Sequence, residues 1–263
     1  MRTMIASFGL FARSSLYKIL GILLLMAGAE GLFFHLRLRA ALNGYSADPS
    51  SGIPSFEALV DQTALFWIFA AAFVLITVCL YLPGTAFGAQ TGYTVCRLPL
   101  REKSFYLVQA LHNGMCYLVL YAAQMGLAVA LAAYYQAAIP AETVSNQAVF
   151  LALYRQGFLH SLLPLQDVLL WVRNAAMVIL LGMTSAQFPY RQRRKQMPWM
   201  ALSFPLFTIL TFRVEMSERY RFGIFYALAV LAAAHCLGFL FMKFDEEGGN
   251  EDEPSETEPS KAE

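Results

Sequence analysis

The chain has 263 residues, of which 58% are hydrophobic and only 14% charged. Soluble domains carry about 25% charged residues, so the composition excludes an ordinary water-soluble globule and points to a membrane-embedded chain. The formal net charge of +1 conceals a split: residues 1–243 hold 18 Lys+Arg against 9 Asp+Glu, and residues 244–263 hold one Lys against 9 Asp+Glu.

Residues 1–15 open the chain with Met4, Ile5, Phe8 and Phe11 at helical spacing, edged by Arg2 and Arg13. That pattern predicts an amphipathic lead-in lying in the membrane interface. The first apolar run, Leu16–Phe34, is longer than the roughly 7–15 residues of a signal-peptide core. Arg37 and Arg39 follow it, where a cleaved leader would carry small residues. Leu36–Gln62 reads as a loop, because Asn43-Gly44, Asp48-Pro49 and Gly52-Ile53-Pro54 are turn signals. Ala64–Leu82 is the second run and Phe105–Tyr135 the third. Between the third and fourth runs, Ala148–Leu163 is apolar enough to lie on the membrane surface as an interfacial helix. Val168–Phe188, Trp199–Phe212 and Phe222–Met242 complete six runs. A crossing helix needs about 20 mostly apolar residues. Trp199–Phe212 is shorter and contains Pro205, so it reads as a kinked span or as a re-entrant hairpin. The span is preferred because the charges then alternate correctly. The tail from Phe244 onward is rich in Glu, Gly, Pro and Ser and is predicted to be disordered.

The expected architecture is therefore an all-α polytopic membrane protein, with a six-span domain over residues 16–243. Lys and Arg collect in the short cytoplasmic loops of such proteins. With both termini in the cytoplasm, twelve basic residues fall inside and six outside, with Arg173 within a span. This bias predicts an inner-membrane protein with that orientation.

Catalytic and cofactor motifs are missing from the sequence. It contains no Gly-x4-Gly-Lys-Ser/Thr, no His-Glu-x2-His and no Gly-x-Ser-x-Gly. Cys79, Cys96, Cys116 and Cys236 lack metal-ligand spacing and read as small apolar residues. The expectation is a non-catalytic subunit without a cofactor or a metal and without a nucleic-acid partner.

Polar residues within the runs are the stronger signal, because each is costly in hydrocarbon. Tyr106, Gln109, Asn113, Cys116, Tyr117 and Gln124 fall within roughly a 100° arc of the third run at 3.6 residues per turn. Such a stripe faces protein or water. It is either the wall of a transport pathway or a set of interhelical hydrogen bonds. Glu30 and Arg173 lie at matched depth, each roughly 9 Å from the outer boundary by helix rise. Matched depth predicts an intramembrane pair, with Gly28 and Gly31 allowing another helix to approach closely. The alternative is that Arg173 snorkels and Glu30 bonds locally.

The hinge Gln90–Lys103 combines Arg97, Arg101 and Lys103 with Leu98, Pro99 and Leu100. It reads as an amphipathic segment docked on a membrane face or a partner, or as a polar turn with incidental apolar residues. Its position after the second run, together with six spans and the lead-in, resembles the type-2 ABC exporter permeases. Those proteins carry Thr-x-x-x-Leu-Pro-[aliphatic]-[Ser/Thr]-x-[Lys/Arg] there. Thr94, Leu98, Pro99, Leu100 and Lys103 match, whereas Arg101 stands where Ser or Thr is usual. An upstream acidic residue common in the family is also replaced by Gln90-Thr91-Gly92. The resemblance implies that Thr94, Arg97, Leu98, Pro99, Leu100, Arg101 and Lys103 form a loop coupling the chain to a cytoplasmic ABC ATPase subunit. It also implies a second permease subunit, as homo- or heterodimer, and the export of an amphipathic, lipid-like, peptide or drug-like substrate. A membrane scaffold recruiting a partner through its basic loops is the alternative.

Because nothing in the tail can bury apolar surface, truncation after Phe244 is expected to leave expression and membrane insertion unchanged. Quantitative blotting of membrane fractions checks this, and loss of the truncated protein contradicts it.

Overall fold

A computed structural model describes residues 2–48, 52–81, 102–139, 148–164, 167–193, 197, 199–213 and 218–240. Among these residues the chain is helical, without strands. The helices are α1 (Arg2–Ala47), α2 (Phe56–Gln62), α3 (Leu65–Tyr81), α4 (Glu102–Ala138), α5 (Ala148–Arg155), α6 (Gly157–Leu162), α7 (Val168–Arg193), α8 (Trp199–Arg213) and α9 (Glu218–Leu240).

Three of them contain segments long and apolar enough to cross a bilayer: Ser15–Ala47, Lys103–Ala138 and Val168–Pro189. A fourth crossing is available if α2 and α3 count as one span bent by 50°. Outward faces are apolar as well, with Leu24, Leu25, Val74, Leu118, Ile179 and Leu206 all exposed. A water-soluble monomer rarely presents so much contiguous apolar surface, and a lipid-facing bundle requires it.

The described helices depart from the sequence expectation in two places, α1 and the segment 148–163. Helix α1 runs unbroken for 46 residues, so the lead-in and the first run are one rod of roughly 69 Å. It passes straight through Asn43-Gly44, and the backbone turns only beyond Ala47. Phe8 of the lead-in sits edge-on to His112 of α4, with ring centroids 5.6 Å apart, so this residue faces protein. The apolar segment 148–163 is broken at Gln156 rather than continuous. Gln156 takes an extended conformation and its Oε1 accepts from the Leu159 N–H at 2.6 Å, which starts α6 as a separate helix. Phe158, Leu159 and Leu162 of α6 are buried, so this part packs into the bundle instead of lying on its surface. Helix α8 has 15 residues, roughly 22 Å, which falls short of a bilayer core of about 30 Å.

Pro205 within α8 has a physical accommodation. A proline has no N–H to give to the carbonyl four residues back, here Ala201. Tyr81 at the end of α3 fills the gap, its hydroxyl donating to the Ala201 carbonyl at 2.5 Å. Phe188 of α7 stacks on the same Tyr81 ring at 4.4 Å. Three helices are joined around one side chain.

The tightest contact lies between α4 and α7. A Cβ built on Gly182 would stand 2.6 Å from the Ala110 carbonyl oxygen and 2.9 Å from Gly114 Cα. Only a residue without a side chain allows two backbones that close, the usual basis of tight packing in lipid. Gly28 and Gly31 play no such part, since a Cβ at either would meet nothing within 4 Å.

Gly182→Ala is expected to destabilise the bundle by about 1–3 kcal/mol, because its methyl group would meet main-chain atoms. Gly114→Ala is expected to be tolerated, since its Cβ would lie 3.8 Å from the nearest oxygen. Thermal unfolding of both variants in the same detergent reads the difference, and equal stabilities contradict the close crossing.

Candidate functional site

The polar stripe of α4 faces inward. Tyr106, Gln109, Asn113, Cys116, Tyr117 and Gln124 are all buried, with Gln124 wholly enclosed. Most of these side chains meet a partner on another helix. Near the start of α4, Tyr106 donates to the Met183 carbonyl at 3.0 Å and lies 3.1 Å from His235 Nε2 of α9. Two turns beyond, Asn113 Nδ2 donates to Ser185 Oγ of α7 at 2.8 Å. Tyr117 donates to Thr77 Oγ1 of α3 at 3.1 Å, and Thr77 in turn donates to the Phe73 carbonyl at 2.8 Å. Gln124 Nε2 donates to Glu30 Oε2 of α1 at 3.0 Å. One helix thus distributes polar contacts to α1, α3, α7 and α9.

Glu30 and Arg173 are each fully buried, but they are not joined to each other. The intramembrane pair expected from matched depth is corrected here. Depth fixes position along the membrane normal and leaves helix rotation open, and each residue finds another partner, Glu30 in Gln124 of α4 and Arg173 in Ser161 of α6 and Asn174 of α7. Glu30 meets only Gln124, leaving Glu30 Oε1 and Gln124 Oε1 as buried acceptors without a hydrogen-bond donor.

Arg173 serves a different purpose. Its Nη2 donates to Ser161 Oγ at 2.7 Å and to the Ser161 carbonyl at 3.1 Å. Nη2 and Nε also reach Asn174 Oδ1, at 2.8 and 3.1 Å. Asn174 Nδ2 then donates to Tyr121 Oη at 2.5 Å, and Tyr121 donates to the Leu162 carbonyl at 2.9 Å. Phe212 of α8 lies under the guanidinium, 5.6 Å from it. Ser161 and Leu162 end the short helix α6, where carbonyls lack intrahelical partners. Arg173, Asn174 and Tyr121 cap those carbonyls, and a cation suits the negative end of a helix. Arg173 Nη1 has no hydrogen-bond partner among the described residues.

The void between Tyr117, Tyr121, Asn174 and Thr208 holds about 10 Å³, close to the space one water needs. At this level the bundle is packed rather than open.

The sequence pattern also passed over several residues. His112 of α4 is buried, 3.1 Å from Ser15 Oγ of α1 and 3.7 Å from Cys116 Sγ. Asn174, Ser185 and Gln187 of α7 and His235 of α9 are buried too. Their signal was present, since each is a polar residue inside an apolar run. Of the hinge residues, Thr94, Arg97, Leu98, Pro99, Leu100 and Arg101 lie outside the described residues, and Lys103 is exposed in the first turn of α4. No group of His, Cys, Asp and Glu among the described residues has the arrangement of a metal site. The arrangement among the described residues is one of hydrogen-bonded helix contacts.

No known protein family, no curated protein and no solved structure matches this chain.

Glu30→Gln is expected to keep or raise stability by up to about 1 kcal/mol, because its amide N–H can satisfy Gln124 Oε1. Asn174→Ala is expected to cost about 2–3 kcal/mol, since it strips two hydrogen bonds from a buried guanidinium. The double exchange Glu30→Arg with Arg173→Glu is expected to be as damaging as both single changes together. Thermal unfolding in detergent measures all three, and rescue by the double exchange contradicts separate partners.

Proposed function

We propose that this chain is the membrane-spanning subunit of an exporter of the type-2 ABC class. In this reading it crosses the inner membrane six times, with both termini in the cytoplasm. It pairs with a second permease subunit and is driven by a separate cytoplasmic ATPase. The cargo is an amphipathic molecule, lipid-like, peptide or drug-like. Helices α8 and α9 supply the fifth and sixth crossings, the short α8 relying on flanking residues or a locally thinner bilayer.

Helix α4 is the observation that carries the reading. It begins at Glu102, within the end of the Gln90–Lys103 hinge, and continues for 37 residues to Ala138. The same rod, roughly 55 Å long, carries Gln109, Asn113, Tyr117 and Gln124 on its buried face. A displacement at a cytoplasmic hinge would be transmitted along a stiff helix to polar pairs that tie it to α1, α3 and α7. Each such pair is modest, about 0.6 kcal/mol on average in lipid. They can therefore exchange partners when ATP hydrolysis on a partner subunit moves the hinge. A passage would form between two copies or two related subunits as these contacts change.

The scaffold reading has one observation in its favour, the closed packing around Tyr117, Tyr121 and Asn174. A chain that only recruits a partner needs no passage. The two readings differ in what co-purifies and in what happens next. For the exporter, an ABC ATPase is expected to come down with the tagged chain, and replacing its Walker lysine is expected to abolish transport. Changing Arg97, Arg101 and Lys103 together to Glu is expected to leave insertion intact and to remove ATPase binding. Unchanged ATPase recovery with the triple variant sinks the coupling role of the hinge. Recovery of a non-ATPase partner alone favours the scaffold.

A further inference from the structure

At the end of the bundle where α3 begins lies a cleft of about 330 Å³. That volume falls within the roughly 300–1,000 Å³ of small-molecule sites. Helix α2 contributes two carboxylates, Glu57 and Asp61, and the ends of α5 and α8 contribute two guanidiniums, Arg155 and Arg213. Trp67 lines the same space and is 56% exposed.

Opposite charges that line one cleft commonly bridge. Here, among the described residues, no ion pair joins either acid to either arginine. Asp61 instead accepts from Gln156 Nε2 at 3.1 Å, and Arg213 lies over the Trp67 ring, 4.9 Å from its centroid. The cleft therefore keeps an acidic side and a basic side without neutralising them. Ala64, also lining the cleft, has φ of 53°, in the left-handed region. A non-glycine residue is held there at a cost of roughly 1–2 kcal/mol. It sits just past the C-cap Thr63, the usual place for a left-handed residue that ends a helix, and it turns the chain from α2 into α3 at the edge of the cleft.

We infer that this cleft binds a zwitterion, a molecule with an ammonium group and a phosphate or carboxylate a few atoms apart. Glu57 and Asp61 take the ammonium, and Arg155 and Arg213 take the anion through the donor geometry of guanidinium groups. The exposed part of the Trp67 ring, one face of which Arg213 covers, packs against the carbon atoms between the two charges. An ion of one sign meets repulsion from half of the lining charges. No hinge residue lines the cleft among the described residues, so the inference does not depend on the exporter reading. The chemistry is shared by a free amino-phosphate solute and by the head group of a zwitterionic lipid. Exposed tryptophans favour the membrane–water boundary, where both have access.

The test uses the full chain in lipid nanodiscs, with Trp171→Phe and Trp199→Phe leaving Trp67 as the only tryptophan. In one arm, phosphoethanolamine is titrated into nanodiscs of phosphatidylglycerol. In the other, the fraction of phosphatidylethanolamine in the nanodisc is raised. A saturable change in Trp67 fluorescence is expected in at least one arm. A response to the solute alone assigns a free ligand, and a response to the lipid assigns the head group. Inorganic phosphate and ethanolamine, each alone, are expected to bind about tenfold or more weakly, as is phosphoethanolamine or lipid to the Glu57→Gln, Arg155→Gln double variant. Both substituted residues are away from the packed core, so the variant should fold. Three results overturn the inference: no saturable change in either arm, an equal response to phosphate alone, or an unchanged midpoint in the double variant.

Discussion

The backbones of α4 and α7 meet at Gly114 and Gly182, and the other helices are placed around that seam. In lipid there is little hydrophobic gain from bringing two apolar helices together, so close packing and interhelical hydrogen bonds carry the association. The seam has both. Tyr106 to the Met183 carbonyl, Asn113 to Ser185 and Asn174 to Tyr121 link the same two helices along their length. Gly182 sets how near the helices come, and the polar pairs set their register. A shift of one residue along either helix would separate all of these partners together.

With α4 fixed against α7, its remaining inward side chains decide where α1 and α3 go. Gln124 reaches Glu30, His112 reaches Ser15, and Tyr117 reaches Thr77. The polar stripe is therefore structural in the described chain, and any role in transport has to act through changes in these contacts. The 37-residue length of α4 matters for the same reason. A shorter or broken helix would isolate the hinge from the interior.

Much of the fold was legible in the sequence. Apolar runs near 20 residues long gave the all-α class and the positions of α3, α4 and α7, because hydrocarbon leaves a chain few other ways to satisfy its backbone. The buried face of α4 was legible for a related reason, since Gln109, Asn113 and Gln124 cannot face lipid cheaply. What was not legible depended on partners distant in sequence. Glu30 was matched to Arg173 by depth, whereas the packing gives it Gln124, 94 positions away. The break at Gln156 was hidden because its side chain caps a helix that composition alone joins to the preceding one. The Asn43-Gly44 turn signal failed because local propensity is weak against a continuous helix. Arg173 read as an ion-pair member, and its service to the carbonyls of α6 could not be inferred before α6 was known to end there.

Arg173 also bears on the order in which the chain is built. Helix α7 enters the membrane with Arg173, Asn174, Ser185 and Gln187 among its apolar residues. Its span has a mean hydropathy of 1.6, against 1.9 and 1.8 for those of α1 and α4. The hydrogen-bond partners of its arginine and asparagine include Ser161 and Tyr121, and Ser185 is met by Asn113. All of these are synthesised before α7 leaves the ribosome. The nascent helix thus finds a receptive surface already in the bilayer, and insertion of α7 becomes a docking event as much as a partitioning one. A chain that lacked α4 would release α7 into lipid with its guanidinium and amide groups unmatched, a state that quality-control proteases recognise.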